Sequence, residues 1–422
     1  MVQWNWLLIV FLAAFAASSI SRLVLSYINV RYLRRHGKDV PEAFKGEIDE
    51  ETLSRMSAYT AESSRFGAGS QLFDDAVTLI ILLSGFLPLL SGIIISWKLN
   101  FMLSGLIFMG ALGLISGIFD IPFSFYSTFV IEKKYGFSTM TARLWVTDLI
   151  KGFVISAILM GILISAILAL IHYAEHTWWL WAWLVFSAFE LLILWLYPVL
   201  IAPLFNKFEP IQNEELRDAI VAMMAKVGLK TGGVFQVDAG KRSRHTKAYF
   251  TGFGKTKRIV LFDTLLNSHG ADEILSVLAH EAGHWKKRHI MKQIVFMETA
   301  SLAVFYLVYR AVDWDLLYRT FGFAENIPYV GLLLVAALLA PVAFFGTPAG
   351  AMFTRKFERE ADEFSFNLVG TAGPMIKALT RLAKDNLANL HPHPFYAWFY
   401  YSHPPLVLRL ARLQKMEEKK AT

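Results

Sequence analysis

Seven stretches of the sequence are each long enough and apolar enough to cross a lipid bilayer as a helix. They lie near residues 5–27, 76–96, 101–119, 150–172, 178–204, 292–312 and 328–351. A helix needs about 20 predominantly apolar residues to span the hydrocarbon core. A chain with this many spanning segments cannot fold around a single water-excluding core. The sequence therefore predicts a mainly α, polytopic membrane protein with seven transmembrane helices.

The first stretch has the charge distribution of a retained membrane helix. A secretory signal peptide carries its basic residues before the apolar segment. Here no basic residue precedes the segment, and the arginines inside or after it are Arg22, Arg31, Arg34 and Arg35. We therefore expect this helix to stay in the mature protein as an anchor.

The connecting segments alternate between rich and poor in basic residues. Lysine and arginine are frequent in residues 28–75 and 120–149, but residues 97–100 and 313–327 carry one each and residues 173–177 carry none. Cytoplasmic loops of membrane proteins collect lysine and arginine. The alternation predicts seven crossings, an N-terminus outside the membrane and a C-terminus in the cytoplasm.

Four segments follow from this topology. Residues 1–204 hold the first five membrane helices with their cytosolic loops, and residues 292–351 hold the last two helices. Residues 205–291 and 352–422 then lie in the cytosol. The net charge of +7 is explained by the cytosolic loops, so membrane lipid is an expected partner and nucleic acid is not.

The chain contains no cysteine. This excludes disulfides, thiolate zinc sites, iron–sulfur clusters and cysteine nucleophiles. Any metal must therefore be held by histidine, aspartate or glutamate.

The stretch VLAHEAGHWKKRH places two histidines one helical turn apart, with a glutamate beside the first. We expect a helix from Ala271 to His289, because acidic residues favour its N-terminal end and no proline interrupts it. His280 and His284 then project from one helix face. Two imidazoles so placed bind one zinc ion, and Glu281 can reach a water on that metal.

A second acidic pair can complete such a site. Glu358 and Asp362 lie four residues apart on a predicted helix in the stretch TRKFEREADEF. One carboxylate can complete the zinc coordination, and the other can accept a hydrogen bond from the distal nitrogen of a ligand histidine. The alternative interpretation is a solvated helix face that the two acids share with Arg355 and Arg359.

Five motifs, in this order, resemble the Ste24-type integral-membrane zinc proteases, the CAAX prenyl protease family. The motifs are PFSFYSTFVIEKKYGF, KRSRHTKAYFTGFGKTKRIVLFDTLL, LAHEAGHWKKRH, RKFEREADEF and YYSHPPLVLRLARL. The resemblance extends from about residue 120 to residue 413. It implies seven helices around a water-filled chamber, closed on the cytosolic side by a gluzincin metalloprotease domain with a small β-sheet. It also implies one zinc ion per chain.

The resemblance assigns roles to individual residues. The residues that match zinc ligands are His280, His284 and Glu358. Glu281 matches the catalytic base, and Asp362 matches an aspartate that supports the ligands. His403 and Arg409 match residues that bind substrate or stabilise the developing oxyanion. His289 matches a recurring histidine, for which a structural role is the alternative to a functional one.

Three short segments after the fifth membrane helix predict β-strands. GVFQVD, KAYFTGF and RIVLF are rich in β-branched and aromatic residues and lie between glycine-rich turns. A protease of this kind can bind substrate along a sheet edge, and the resemblance places Lys247, Ala248 and Tyr249 on that edge as substrate-binding residues. Family members carry asparagine where this chain has Lys247. A lysine side chain has no acceptor to replace the amide carbonyl.

Two further patterns are weaker. GFGKT ends like a phosphate-binding loop, with Gly254 and Lys255, but Tyr249 stands where the first glycine of that pattern is required, so no nucleotide is expected. His391 and His393 lie in HPHPF, where prolines disfavour a helix and predict a loop.

Two acidic residues fall inside predicted crossings. Glu190 and Glu298 would be costly if they faced lipid, so we expect both to face the interior. Lining of the chamber and a buried pair remain equal alternatives for them.

These features predict a membrane-embedded zinc endopeptidase that hydrolyses peptide bonds near the C-terminus of CAAX-type or other membrane-associated peptides, with or without a prenyl lipid. The alternative within this class is a membrane protein quality-control protease without prenyl specificity. A polytopic transporter and an inactive zinc-stabilised scaffold are further alternatives, but neither needs Glu281 between ligand-spaced histidines. The modest length and the compact loop before ADEIL favour a prokaryotic cytoplasmic membrane over the endoplasmic reticulum.

Overall fold

The computed structural model of the chain describes residues 2–251 and 256–421. Gly254 and Lys255, from the pattern that resembles a phosphate-binding loop, lie outside the described residues.

The first half of the chain is helical. Its helices are α1 (Trp6–His36), α2 (Glu50–Leu83), α3 (Phe86–Ser96), α4 (Phe101–Tyr126), α5 (Glu132–Lys134), α6 (Ala142–Tyr173), α7 (Trp178–Leu196) and α8 (Ala202–Phe205). π-Helical turns at Ser127–Ile131 and Tyr197–Ile201 continue α4 into α5 and α7 into α8. Asn5, Asn100 and Thr141 begin α1, α4 and α6, because each side chain accepts a hydrogen bond from a backbone N–H of the first turn.

The second half mixes strands and helices. The strands are β1 (Phe208–Pro210), β2 (Lys230–Val237), β3 (Ala248–Thr251) and β4 (Thr256–Phe262). The helices are α9 (Glu214–Lys226), α10 (Asp263–Ser268), α11 (Ala271–Lys286), α12 (His289–Val312), α13 (Asp315–Thr320), α14 (Pro328–Val369), α15 (Gly373–Asp385), α16 (Pro394–Tyr400) and α17 (Leu406–Ala421). Short 3₁₀ turns lie at Glu42–Phe44 and Ala239–Lys241.

Seven helices within the described residues are long and apolar enough to cross a membrane: α1, α2, α4 with α5, α6, α7 with α8, α12 and α14. Their contacts form a closed ring, in which α2 meets the π-helical end of α4 and α14 returns to α1. At most 33% of the most apolar window of any of them is buried, and none of it is buried in α7 or α12. This confirms the predicted seven membrane helices, and their contacts close into a ring.

The second crossing differs from the prediction. The sequence analysis placed a loop at residues 28–75 and a crossing at residues 76–96, but α1 continues to His36 and α2 already begins at Glu50. Much of the predicted loop is therefore helical, and the second long helix begins well before the predicted crossing.

Local chemistry explains the bounds of α2. The side chain of Asp49 accepts a hydrogen bond from the backbone N–H of Thr52 at 2.7 Å and caps the helix start. The helix ends at Leu83, because Gly85 has φ of 83°, a left-handed conformation that glycine adopts at no steric cost. The remaining apolar residues form α3, which at 11 residues is too short to span.

The small sheet has the strand order β1-β2-β4-β3. The pair β2 and β4 is parallel, and the other two pairs are antiparallel. The predicted strands GVFQVD, KAYFTGF and RIVLF correspond to β2, β3 and β4, which confirms the predicted sheet. The sequence analysis missed β1, which has only three residues. In the part of the chain that the structure describes, β3 pairs with β4 alone and is an edge strand.

The helix with the two spaced histidines packs between the sheet and the C-terminal helices. Leu278, Ala279 and Ala282 of α11 are buried in one apolar cluster with Ile259 and Leu261 of β4. On its other side α11 contacts α14 and α15. The extramembrane parts before α12 and at the end of α14 therefore form one body on one side of the membrane.

Ionic contacts tie this body to the membrane helices. The guanidinium of Arg242 makes two hydrogen bonds, of 2.6 and 2.9 Å, to the carboxylate of Asp148 in α6. His245 stacks on Phe137 at 4.1 Å, and its Nε2 lies 3.3 Å from Oε2 of Glu132 at the end of the third crossing helix. These contacts position the segment that leads directly into β3.

The weaker sequence patterns have local roles. His391 and His393 lie in a loop, as predicted: Nε2 of His391 bonds to the backbone oxygen of Asp39 at 2.8 Å, and His393 caps α16. The hydroxyl of Ser187 in α7 donates a hydrogen bond to the carboxylate of Glu298 in α12. Glu298 therefore has a polar partner on a neighbouring membrane helix.

Candidate metal centre

Two histidines of α11 form one side of the candidate site. The backbone N–H of Gly270 donates to the carboxylate of Glu273 at 3.2 Å, which fixes the beginning of α11. One turn separates His280 from His284, so both rings leave the same face. Their Nε2 atoms lie 3.2 Å apart.

A carboxylate of α14 completes the group. Oε2 of Glu358 lies 3.4 Å from Nε2 of His280, and its Oε1 lies 3.3 Å from Nε2 of His284. These three residues form the only group of three or more potential ligands found in the described part of the chain. The structure thus brings together the ligands that the resemblance implies.

The close approach of α11 and α14 depends on a glycine inside the motif. A Cβ atom on Gly283 would lie 3.1 Å from Cα of Ala361 and 3.1 Å from Cβ of Phe364. A side chain at this position would force the two helices apart. Gly283 therefore allows Glu358 to reach the histidines of the neighbouring helix.

The three side chains form a triangle and are spaced so that one metal ion could contact all of them. One ligand atom from each of the three residues lies within 4.8 Å of the other two. Nε2 of His280 and Nε2 of His284 are 3.2 Å apart, and each lies within 3.4 Å of a different oxygen of the Glu358 carboxylate. His280 and Glu358 are both 6% exposed, and Oε2 of Glu358 is a buried atom without a hydrogen bond among the described residues. Two imidazoles and a carboxylate are a set that zinc accepts, so the residues fit the metal.

A buried ion pair supports His280 from behind. Its Nδ1 lies 2.9 Å from Oδ1 of Asp362, one turn after Glu358 on α14. Arg409 of α17 makes two hydrogen bonds to the same carboxylate, at 2.9 and 2.5 Å. Arg409 is only 7% exposed, and its Nη1 lies 3.8 Å from Oε2 of Glu358. The guanidinium expected to stabilise an oxyanion is thus engaged by Asp362.

The same contacts control the charge of His280. Burial opposes the charged ring, but the hydrogen bonds to Asp362 and Glu358 outweigh it and raise the pKa of His280 to about 9. In the absence of metal, His280 is therefore protonated at neutral pH. A metal that binds at Nε2 must displace this proton.

Glu281 lies beside the triangle and is half-buried. Burial raises the pKa of its carboxyl above the ordinary value, although positive charge on His280 and His284 opposes that shift. A carboxyl with a raised pKa can both accept and return a proton near neutral pH. The structure thus gives Glu281 the environment that a general base requires.

His403 lies at the open rim of the site. Its Nε2 is 3.3 Å from Oε1 of Glu358, and 60% of its side chain is exposed. Its Nδ1 is within 2.9 Å of the hydroxyl of Ser402. This side chain is therefore near the ligand group and accessible to a substrate.

The predicted substrate-binding residues lie on or next to β3. The carbonyl of Lys247 accepts a hydrogen bond from the N–H of Phe262 at 3.1 Å, and its side chain is exposed. Tyr249 of β3 pairs with Val260 of β4 and, like Lys247, turns its backbone N–H and C=O towards β4. Because these groups alternate along a strand, those of Ala248 point to the outer side of β3. β3 also contacts α11. The outer edge therefore has room to pair with an extended peptide beside the metal centre.

The sequence analysis predicted one continuous helix to His289, and this was wrong. α11 ends at Lys286, and Arg288 adopts a left-handed conformation with φ of 56° before α12 begins. Glu360, two residues after Glu358, was not among the predicted residues, although its carboxylate contacts His289. Only the short separation of Glu360 from a candidate ligand could have drawn attention to it.

Arg355 does not belong to a solvated helix face. Its guanidinium donates a hydrogen bond to the backbone oxygen of Tyr401 at 2.7 Å. This contact fixes α14 to the segment that precedes His403. The alternative interpretation of the acidic pair is therefore wrong for Glu358 and Asp362, which are 6% and 1% exposed.

Comparisons with known proteins cover nearly the whole chain. Residues 29–207 match the family model for the N-terminal part of CAAX prenyl proteases, which is described as five membrane helices. Residues 210–417 match the model for peptidase family M48. CAAX prenyl protease 1 of Saccharomyces cerevisiae is 33% identical, with 94% of this chain and 93% of the relative covered. The CAAX prenyl protease 1 homolog of Oryza sativa is 35% identical, with 94% and 97% covered.

A solved structure agrees with this result. The crystal structure of S. mikatae Ste24p superimposes with a TM-score of 0.91 at 31% sequence identity, and the match covers 97% of this chain and 99% of that one. The likeness extends over both the membrane helices and the metal centre. The chain thus belongs to the CAAX prenyl protease 1 family of M48 metallopeptidases.

Proposed function

We propose that the chain is a membrane-embedded zinc endopeptidase whose active site is the triangle of His280, His284 and Glu358. The observation that carries the proposal is the convergence of two imidazoles and a carboxylate, whose ligand atoms all lie within 4.8 Å of one another, which is the kind of ligand set that zinc accepts. Three protein ligands leave the fourth position for a water or a substrate oxygen. One zinc ion per chain is expected.

A zinc ion held by His280, His284 and Glu358 would supply a Lewis acid, which would polarise the scissile carbonyl and lower the pKa of a water towards about 7. Glu281 accepts the proton of the attacking water at its carboxylate and then donates it to the leaving amine. Its half-buried position and raised pKa favour both transfers.

His403 and Arg409 have different tasks in this proposal. His403 is exposed at the rim and can donate a hydrogen bond to the carbonyl oxygen as negative charge develops there. Arg409 is buried on Asp362, so it orients the aspartate that holds His280. The hydrogen-bond donor at the oxyanion is therefore His403.

The substrate peptide lies along the outer edge of β3. Backbone hydrogen bonds to Ala248 bind an extended peptide with little demand on its side chains. Tyr249 faces the sheet partner through its backbone and is partly buried, and Lys247 presents an exposed ammonium group next to the strand. A substrate that carries a carboxylate or another acidic group pairs better with the ammonium of Lys247 than with the amide of an asparagine.

We propose CAAX-type C-terminal peptides as the substrates, because the relatives reported above carry that activity in their names. The ring of membrane helices favours peptides that are held at a bilayer, including lipidated ones. A quality-control protease without prenyl specificity is the competing assignment for the same site. The alternative of a polytopic transporter is no longer supported, because residues 210–417 match peptidase family M48.

The protease body lies in the cytosol in this proposal, with the N-terminus on the opposite side of the membrane. The charge alternation of the loops supports this orientation. The reported relatives are eukaryotic, so they give no support to the prokaryotic membrane favoured by chain length.

One assay tests the enzyme and its substrate together. The chain is purified in detergent, and cleavage of a CAAX-type peptide is followed with and without a farnesyl group, for wild type and for Glu281→Gln. We expect cleavage to fall by about 10²- to 10⁴-fold in Glu281→Gln, with zinc content unchanged. Equal cleavage by the variant would contradict the assignment of the base. Faster cleavage of the farnesylated peptide supports prenyl recognition, and equal rates support the quality-control alternative.

A further inference from the structure

A third histidine and a second carboxylate stand behind His284. Nδ1 of His289 lies 3.1 Å from Nδ1 of His284, and its Nε2 lies 3.0 Å from Oε2 of Glu360. The ring of His289 stacks on Phe357 at 4.3 Å with an interplanar angle of 11°. His289 is 1% exposed, so its two ring nitrogens have no access to water in place of these partners.

The hydrogen-bonding capacities of these groups determine one tautomer for each ring. An ionised carboxylate only accepts hydrogen bonds, so Nε2 of His289 carries the proton that is donated to Glu360. Nδ1 of a neutral His289 is then an acceptor, and Nδ1–H of His284 is its donor. Nε2 of His284 is left with a free lone pair, on the side of His280 and Glu358.

We propose that His289 and Glu360 are positioning residues of the metal centre, which hold His284 in the tautomer and ring orientation that bind the metal through Nε2. The inference rests on the proposed zinc site. It adds a support for the second ligand histidine, His284, to the support that Asp362 gives His280.

Each ligand histidine then has its own carboxylate support. Asp362 lies directly behind His280 at 2.9 Å, whereas Glu360 supports His284 through the ring of His289. Both carboxylates belong to α14, the helix that also carries Glu358. A single helix therefore provides one ligand and the anchors of the other two.

The break between α11 and α12 makes this contact possible. In a continuous α-helix His289 would point about 140° away from His284, because five residues advance the helix by about 500°. The left-handed Arg288 ends the first helix, and its φ of 56° and ψ of 37° turn the chain back. His289 then faces the ligand from the first turn of α12.

Removal of His289, the hydrogen-bond acceptor for Nδ1–H of His284, should weaken metal binding. His284 would lose the partner of its Nδ1–H and could rotate or change tautomer, and loss of such supporting hydrogen bonds typically lowers metal affinity about 10- to 100-fold. Loss of Glu360 alone should have a smaller effect, since His289 keeps its ring position through the stack on Phe357.

The test measures the zinc dissociation constant of the full chain in detergent by chelator competition. His289→Phe keeps the volume and the stack on Phe357 but removes both nitrogens. His289→Asn keeps an acceptor oxygen near the position of Nδ1. We expect His289→Phe to weaken zinc binding about 10- to 100-fold and His289→Asn to stay closer to wild type. Glu360→Gln should cause an intermediate loss.

Glu363→Gln is the matched control, because Glu363 lies on the same helix and is 58% exposed, with only a 3.5 Å contact to Arg412. Its zinc affinity should equal that of wild type. Circular dichroism and size-exclusion chromatography of the metal-free variants monitor the fold. Glu360 is 30% exposed, so Glu360→Gln keeps the test valid if His289→Phe does not fold.

The outcomes separate this inference from the proposed function. A wild-type chain that binds no zinc would contradict the proposed function. If wild type binds zinc but folded His289→Phe and Glu360→Gln bind it equally well, the positioning role is overturned and the zinc site stands. Equal losses in His289→Phe and His289→Asn would also overturn it, because a packing role does not distinguish an acceptor from an apolar ring.

Discussion

At the scale of single residues, His280 and Glu358 are the proposed ligands, and other side chains hold them in place. Asp362 lies behind His280, and Arg409 is bonded to Asp362 through two hydrogen bonds. This series of contacts is buried and isolated from water. The geometry of the metal centre therefore depends on residues that do not touch the metal.

The assignment of Arg409 as a positioning residue can be tested by a double-mutant cycle. Asp362→Asn and Arg409→Lys should each lower zinc affinity about 10- to 100-fold, because each disturbs the group that orients His280. The double variant should lose less than the sum of the two free-energy changes. Zinc affinity is measured by chelator competition.

Arg412→Lys on the same helix is the control, since Arg412 is 37% exposed and its ion pair is with Glu363, at 3.5 Å. An Arg409→Lys variant with normal zinc affinity and a reduced kcat would instead place Arg409 at the substrate.

Zinc affinity should depend on pH. The contacts with Asp362 and Glu358 raise the pKa of His280 to about 9, so below that pH zinc displaces a proton from this ring. Affinity should rise about tenfold for each pH unit as the pH approaches 9 and should level off above it. Titration of the metal-free chain at several pH values measures this slope. A flat profile between pH 7 and 9 would contradict the raised pKa.

The residues that sequence reasoning found are those with short-range or motif-level signals. His280, Glu281 and His284 follow from helical spacing, as does the pair of Glu358 and Asp362, whose separate roles come from the resemblance. The engagement of Arg409 by Asp362 brings together residues 47 positions apart, which spacing does not predict.

At the scale of secondary structure elements, the metal centre depends on how closely α11 approaches α14. Gly283 is the contact point, because its absent Cβ would touch Ala361. The histidines and Glu358 belong to different helices, so a small increase in helix separation enlarges the ligand triangle.

Gly283→Leu should therefore separate the helices and reduce zinc binding, and overpacking of this kind costs about 1–3 kcal/mol of unfolding free energy. Zinc content and thermal unfolding are measured together. Gly346→Leu is the control, because a Cβ at Gly346 in α14 meets no atom of the described residues within 4 Å. Normal zinc content in Gly283→Leu would show that the approach of the helices does not set the site.

Element boundaries show where sequence reasoning fails. The long apolar helices are found because their signal extends over many residues. The break at Gly85 and the turn at Arg288 each depend on one left-handed residue, and nothing in the apolar pattern marks them. The position of β3 at the sheet edge follows from the strand order, which strand propensity does not provide.

At the scale of the whole molecule, seven long helices form a ring, and the protease body packs at one of its ends. The hydropathy and charge of the sequence predicted the crossings and an orientation. The closure of these helices into a ring became apparent only from the contacts between them.

The orientation can be measured directly, because the cysteine-free chain gives each introduced cysteine a unique label. Glu175→Cys lies in the exposed connection between α6 and α7, and Lys415→Cys lies on the exposed face of α17. A membrane-impermeant maleimide should label Glu175→Cys from the non-cytosolic side and Lys415→Cys only after permeabilisation. The reverse pattern would contradict the predicted topology.

The most direct test of the account is the zinc content of the purified chain, determined by elemental analysis for wild type, His280→Ala and His391→Ala. His391 is the control, because it lies in a loop, bonds to the backbone oxygen of Asp39 and is not one of the three candidate ligands. The account predicts about one zinc ion per chain in wild type and in His391→Ala, and a loss of zinc in His280→Ala. A wild-type chain without zinc, or full zinc content in His280→Ala, would contradict the assignment of His280, His284 and Glu358 as the metal centre.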